Sequence, residues 1–123
     1  MLSGMTLRCL IVDDSTRFLD AARGLLEREG MTVVGVASNS SEAIRQAERL
    51  RPDVTLVDID LGGESGFEVA RRLQREAGLA ASGIILISTH DRDDFADLIS
   101  ASPTAGFLSK SDLSASAILS LIG

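Results

Sequence analysis

Seven side chains in this sequence have the types and positions for chemistry on phosphorus. Asp13 and Asp14 close the apolar run LRCLIV, Asp58 closes DVTLVD, and Asp60 follows one residue later, at the mouth of a glycine-rich loop. Ser88 ends GIILIS with His90 two residues beyond it, while Lys110 follows AGFLS. A carboxylate at the end of a buried run can attack phosphorus. The Asp58-x-Asp60 spacing in TLVDIDLGGES serves equally an enzyme's nucleophile or a group that holds phosphoryl as a switch. Three carboxylates brought together repel one another, and no core requires them. Around a hard cation they make sense, because magnesium takes oxygen ligands and keeps several waters. Lys110 is the one lysine among twelve basic residues, the rest being arginine. A position that keeps lysine in such a chain suits a compact point charge on a flexible stem rather than a planar fork. Ser88 offers one hydroxyl donor, which alone would mean little.

The elements that must position these groups alternate in texture. The runs 7–12, 32–37, 53–58, 83–88 and 105–109 are short, rich in Val, Ile and Leu, and nearly continuous in hydrophobicity. That texture suits strands buried on both faces of a parallel sheet. Between them lie amphipathic segments. Phe18, Leu19, Ala22, Leu25 and Leu26 recur at helical spacing in 16–29, with Gly30 as a left-handed stop. Ala43, Ile44, Ala47 and Leu50 do so in 40–50, where Asn39 and Glu42 fit a capping box and Pro52 forbids continuation. Phe67, Ala70 and Leu73 mark 65–77, and Phe95, Leu98 and Ile99 mark 91–101, ahead of Pro103. Leu113, Ala117, Ile118 and Leu121 mark 112–122, with Ser111 as its cap. Strict alternation of five strands and five helices predicts a doubly wound α/β fold with right-handed crossovers. In such a sheet the ligand site lies outside the carboxyl ends of the strands, where the seven residues fall.

Composition narrows the function. A chain of 123 residues suits one domain, which we place at 5–123, Met5 being as good a native start as Met1. Apolar residues at 45% argue against disorder. A net charge of −6 and only 3% aromatics make the domain a poor nucleic-acid binder. Cys9 is the single cysteine and reads as a small buried hydrophobe, with no disulfide partner in the chain. No cationic start followed by an apolar core and cleavage site opens the sequence, and no apolar stretch approaches the ~18 residues of a membrane span. The expectation is a soluble cytoplasmic protein without membrane contact.

Taken in register, LIVDDS, VDID, ILIS and GFLSK resemble the receiver domain of two-component response regulators, a flavodoxin-like fold, from Leu7 to about Leu121. The resemblance implies a three-layer α/β/α sandwich with strand order 2-1-3-4-5. It implies that Asp58 accepts a phosphoryl group from a sensor histidine kinase or phosphotransfer protein. Magnesium would be bound by Asp14, Asp58 and the backbone carbonyl of Asp60, with Asp13 helping through water. Lys110 and the metal would neutralise charge in an in-line transfer, and Ser88 would then move toward the phosphoryl group. Phe107 matches the switch aromatic. The new charge would bias a surface made by the fourth helix, fifth strand and fifth helix, which is also where a homodimer would form. Asp60 and His90 occupy the two variable positions that tune loss of the phosphoryl group.

Three departures stand out. Ser111 follows Lys110 where the family usually has proline, which leaves that bond's isomer open. The loop LGGESG lacks the family's frequent proline, so a more flexible loop is expected. Phe107 lacks the hydroxyl of the common tyrosine. Two other readings compete: a haloacid-dehalogenase-like phosphohydrolase, which shares Asp-x-Asp but on its first strand, and a pseudo-receiver that acts only by binding. The expectation is a switch rather than an enzyme. Output would pass to a downstream protein or to an output domain absent from this sequence. The segment KSDLSASAILSLIG leaves no linker, which favours a stand-alone receiver.

Overall fold

A computed structural model of the chain describes residues 6–122; Met5 and Gly123, the limits expected for the domain, lie outside the described residues. The strands are β1 (Arg8–Val12), β2 (Thr32–Ala37), β3 (Val54–Asp58), β4 (Ile84–Ser88) and β5 (Gly106–Ser109). The helices are α1 (Thr16–Arg28), α2 (Ser40–Leu50), α3 (Gly66–Ala77), α4 (Ala96–Ala101) and α5 (Ala115–Ile122). All four pairings between neighbouring strands are parallel, in the order β2-β1-β3-β4-β5. This is the doubly wound order expected.

The continuous apolar runs are explained by what each face meets. Leu10, Val12, Val57, Ile84 and Leu86 pack with Ala43, Ala47, Phe67, Ala70, Leu73 and Ile99 from α2, α3 and α4. Cys9, Ile11, Leu56, Ile85 and Ile87 pack on the other face with Leu19, Ala22, Leu26 and Ile118 from α1 and α5. Alternation therefore exists, but both faces are dry, so no polar residue marks it. Each fully buried Leu or Ile contributes roughly 1.5–3 kcal/mol of transfer free energy. Burial also pushes the Cys9 thiol up to about 12, which leaves it an inert core group.

The helix ends follow local chemistry. Ser15 Oγ accepts from Phe18 N at 3.2 Å and caps α1, whose chain then turns at Gly30 with φ +95°. Asn39 Oδ1 accepts from Glu42 N at 2.9 Å, but Glu42 reaches one residue past Asn39 to Ser38 N at 2.8 Å, so the box closes outside its usual partner.

Three expectations are corrected. The segment before α4 is a 3-10 turn over Arg92–Phe95, because Asp91, Asp93 and Asp94 provide no apolar face to hold a longer helix. Leu98 does not join the buried stripe: it is 52% exposed while Ile99 is buried. Ser111 does not cap α5. Lys110–Asp112 form another 3-10 turn, Leu113 is buried behind it, and Ser114 Oγ accepts from Ala117 N at 3.0 Å to start the helix three residues later. Among the described residues every peptide bond is trans, Lys110–Ser111 included.

The loop after β3 is built rather than loose. Asp60–Leu61 and Glu64–Ser65 form a short antiparallel ladder. Gly62 and Gly63 make its turn with φ +54° and +101°, the two positive angles a two-residue hairpin of type I′ demands.

Candidate functional site

The parallel sheet delivers the chemistry-bearing residues to one edge. Asp13 extends β1 by one step, its N–H donating to Ala37 O at 2.9 Å, and its side chain is completely buried. Asp58 is the last residue of β3 and pairs with Ile87 of β4. Ser88 ends β4, paired with Ser109, and Lys110 follows β5 directly. Carboxylate oxygens of Asp13, Asp14 and Asp58 all lie within 4.8 Å of one another.

Lys110 Nζ sits between two of these carboxylates, 2.5 Å from Asp13 Oδ2 and 3.1 Å from Asp58 Oδ2. Burial alone would lower its pKa, but the hydrogen bonds to Asp13 and Asp58 outweigh that and raise it, so the ammonium is kept charged. Burial pushes the Asp58 carboxyl up, and the charge on Asp13 adds to the rise. Hydrogen bonds from Asp60 N, at 3.0 Å to Oδ1, and from Lys110 oppose it without cancelling it. Asp13 Oδ1 accepts from Ser15 N at 2.8 Å, which fixes the carboxylate while Oδ2 faces the ammonium.

Three carboxylates against one ammonium leave two negative charges at this edge. The donors are all oxygens, and Asp14 is exposed and forms no hydrogen bond or ion pair among the described residues. That charge and donor set fit a hard divalent cation such as magnesium.

The remaining residues are placed as follows. Ser88 is 2% exposed, and its Oγ accepts from His90 N at 3.0 Å. His90 Nδ1 lies 3.4 Å from the same oxygen, and the ring stands edge-on to Phe95 with centroids 5.8 Å apart. Asp60 is exposed, and among the described residues it forms no ion pair with His90, although both line the cleft with Asp14, Asp58, Gly62, Ser88 and Thr89. Phe107 is buried within the α2–α4 side of the core.

Sequence reasoning missed four contributors. Lys110 Nζ lies 4.2 Å from the ring centroid of Phe18 on α1, a cation–π contact that steers the ammonium. Gly62 presses on Asp14: a Cβ there would stand 2.7 Å from Asp14 Oδ2. Gly66 lies under Asp58, where a Cβ would meet Asp58 O at 2.0 Å. Glu64 ties the hairpin to α2 through Ser40 N, at 3.0 Å. Gly66 alone left a signal, since glycine is a poor choice to open a helix unless a close approach demands it.

Comparison with known proteins agrees with this geometry. The family model described as the response regulator receiver domain matches residues 9–121. Protein PilH of Pseudomonas aeruginosa is 35% identical over 86 residues, 70% of each chain. A protein-glutamate methylesterase/protein-glutamine glutaminase of Hahella chejuensis is 45% identical over 67 residues, 54% of this chain but only 19% of that protein. Such larger relatives carry most of their length outside the match. Among solved structures, the signal receiver domain of a modulated diguanylate cyclase from Desulfovibrio desulfuricans G20 superposes with a TM-score of 0.77 at 34% identity, covering 96% of this chain and 91% of that one. With nearly its whole described length matched and its acidic edge built as above, the chain belongs to the response regulator receiver domain family.

Proposed function

We propose that this domain accepts one phosphoryl group on Asp58, from the phosphohistidine of a sensor kinase or phosphotransfer protein, and that the resulting charge is its output. The observation that carries the reading is the meeting of Asp13, Asp14 and Asp58 with the chain's one lysine at the carboxyl edge of the sheet. In the transfer an Asp58 carboxylate oxygen forms a bond to phosphorus as the phosphorus–nitrogen bond breaks. The electron pair stays on the donor imidazole, which takes up a proton.

Asp13, Asp14, Asp58 and the backbone carbonyl of Asp60 would hold magnesium, which when bound supplies positive charge against the transferring oxygens. Lys110, released from its pair with Asp58, turns its ammonium to a phosphoryl oxygen. Ser88 accepts from His90 N and so keeps its own hydroxyl proton to donate to a second one. Asp60 and His90 border the same cleft and would set the lifetime of the acyl phosphate. Phe107 would report the change at Ser88 to the face of α4, β5 and α5, which would bind a downstream target or a second copy. The receiver turns over no substrate of its own in this reading and works in the cytoplasm as one domain spanning 5–123; no helix among the described residues is long and apolar enough to cross a membrane.

Acetyl phosphate with magnesium separates the readings. The switch predicts a gain of one phosphoryl mass per chain, lost in Asp58→Asn and without metal. Rapid multiple turnover without an adduct would instead favour a phosphohydrolase, and no reaction an inert binding module.

A further inference from the structure

The hairpin after β3 carries one carboxylate that turns away from the cleft. Glu64 Oε1 accepts from Ser40 N at 3.0 Å, and Oε2 accepts from the Ser40 hydroxyl at 2.5 Å. Arg72 of α3 donates to the same hydroxyl at 3.2 Å. Ser40 is the first residue of the eleven-residue helix α2 and is 4% exposed. A carboxylate there meets both an unpaired N–H and the positive end of the helix dipole. The hydrogen bonds from Ser40 hold the Glu64 carboxyl below its usual range.

The turn of the hairpin points the other way. Gly62 borders the cleft and lies so close to Asp14 that a Cβ would stand 2.7 Å from Asp14 Oδ2. Asp13 and Asp58 are each fixed by a backbone N–H and by Lys110. Among the described residues Asp14 has no such partner, and the hairpin turn at Gly62 is what its Oδ2 lies against.

We propose that Glu64 is a positioning residue for the cation site: by fastening the hairpin to α2 and α3 it holds Gly62 in place, and Gly62 confines the Asp14 carboxylate beside Asp13 and Asp58. This rests on reading the cluster as a magnesium site. Without the fastening, the hairpin and Asp14 must both be ordered when the metal binds, and that cost appears in affinity.

The test is a magnesium titration of the wild type, Glu64→Ala, Glu64→Gln and Ser40→Ala, followed through the backbone amide signals of Asp13, Asp14 and Asp58 by NMR. Spectra without metal report whether each variant is folded. Loss of the staple raises the magnesium Kd of Glu64→Ala about fivefold to tenfold and shifts the metal-free amides of Gly62 and Asp14. Glu64→Gln keeps an oxygen for Ser40 N and falls between. A Kd for folded Glu64→Ala within about twofold of wild type would overturn the proposal, being smaller than the ordering cost of one side chain. If Glu64→Ala does not fold, Ser40→Ala decides: a Kd raised about threefold supports the staple, and an unchanged one overturns it. A wild type that shows no saturable shifts removes the magnesium reading and the staple with it, an outcome distinct because the variants are then irrelevant.

Discussion

Asp58 sits between an ammonium that stabilises its charge and a buried neighbour, Asp13, that opposes it. Burial and Asp13 win, and the carboxyl is raised above its ordinary 3.8. A raised carboxyl binds its proton more tightly folded than unfolded, so its ionised form costs stability at neutral pH. That cost is relieved as pH falls through the raised value toward 3.8. In metal-free buffer Asp58→Asn should therefore be more stable than wild type by on the order of 1 kcal/mol at neutral pH. The advantage should shrink on acidification. Urea unfolding at several pH values checks both, and a variant less stable than wild type at pH 7 would contradict the electrostatic account. That Asp13, Asp14, Asp58, Ser88 and Lys110 share one edge was legible, because each follows an apolar run and parallel strands end together. Phe18, Gly62 and Glu64 were not, because their contacts cross from one element to another and no spacing in the chain announces them.

At the scale of elements, the strands read cleanly because uniform apolar runs have few alternatives in a chain this short. Two helices start later than their spacing suggests, for different reasons. Phe95 and Ile99 are too little to hold a helix from Asp91, and Leu113 takes extended backbone after the 3-10 turn, so α5 starts only beyond it. The loop LGGESG lacks the proline that would stiffen it, yet its glycines supply the two positive φ angles of a tight hairpin. Gly66 joins that hairpin to α3 directly under Asp58. Gly66→Ala would press a methyl to 2.0 Å from Asp58 O and 2.5 Å from Ile59 Cα, both backbone atoms. We expect a loss of roughly 3 kcal/mol and weaker phosphorylation. Gly63→Ala, with open space around it and only φ +101° against it, should lose about 1 kcal/mol. Denaturant unfolding of the two variants measures the contrast, and equal losses would mean the close approach is not what selects Gly66.

For the whole molecule, the sheet acts as a frame that brings the ends of β1, β3, β4 and β5 to one charge-bearing edge, and β5, which delivers Lys110 there, also runs between α4 and α5 in the chain. Family membership replaces the phosphohydrolase reading of Asp58-x-Asp60 and leaves the proposed switch as the function to test. The match to the Hahella chejuensis methylesterase covers only 19% of that protein, so a sequence like this one can form a small part of a longer chain. The proposed switch requires that Asp58 itself become the acyl phosphate. Treating the acetyl phosphate product with borohydride reduces an aspartyl phosphate to homoserine, which peptide mass spectrometry locates. Homoserine is expected at position 58 alone, dependent on magnesium; reduction at Asp13, Asp14 or Asp60, or at no position in a chain that has gained the phosphoryl mass, would contradict phosphorylation of Asp58.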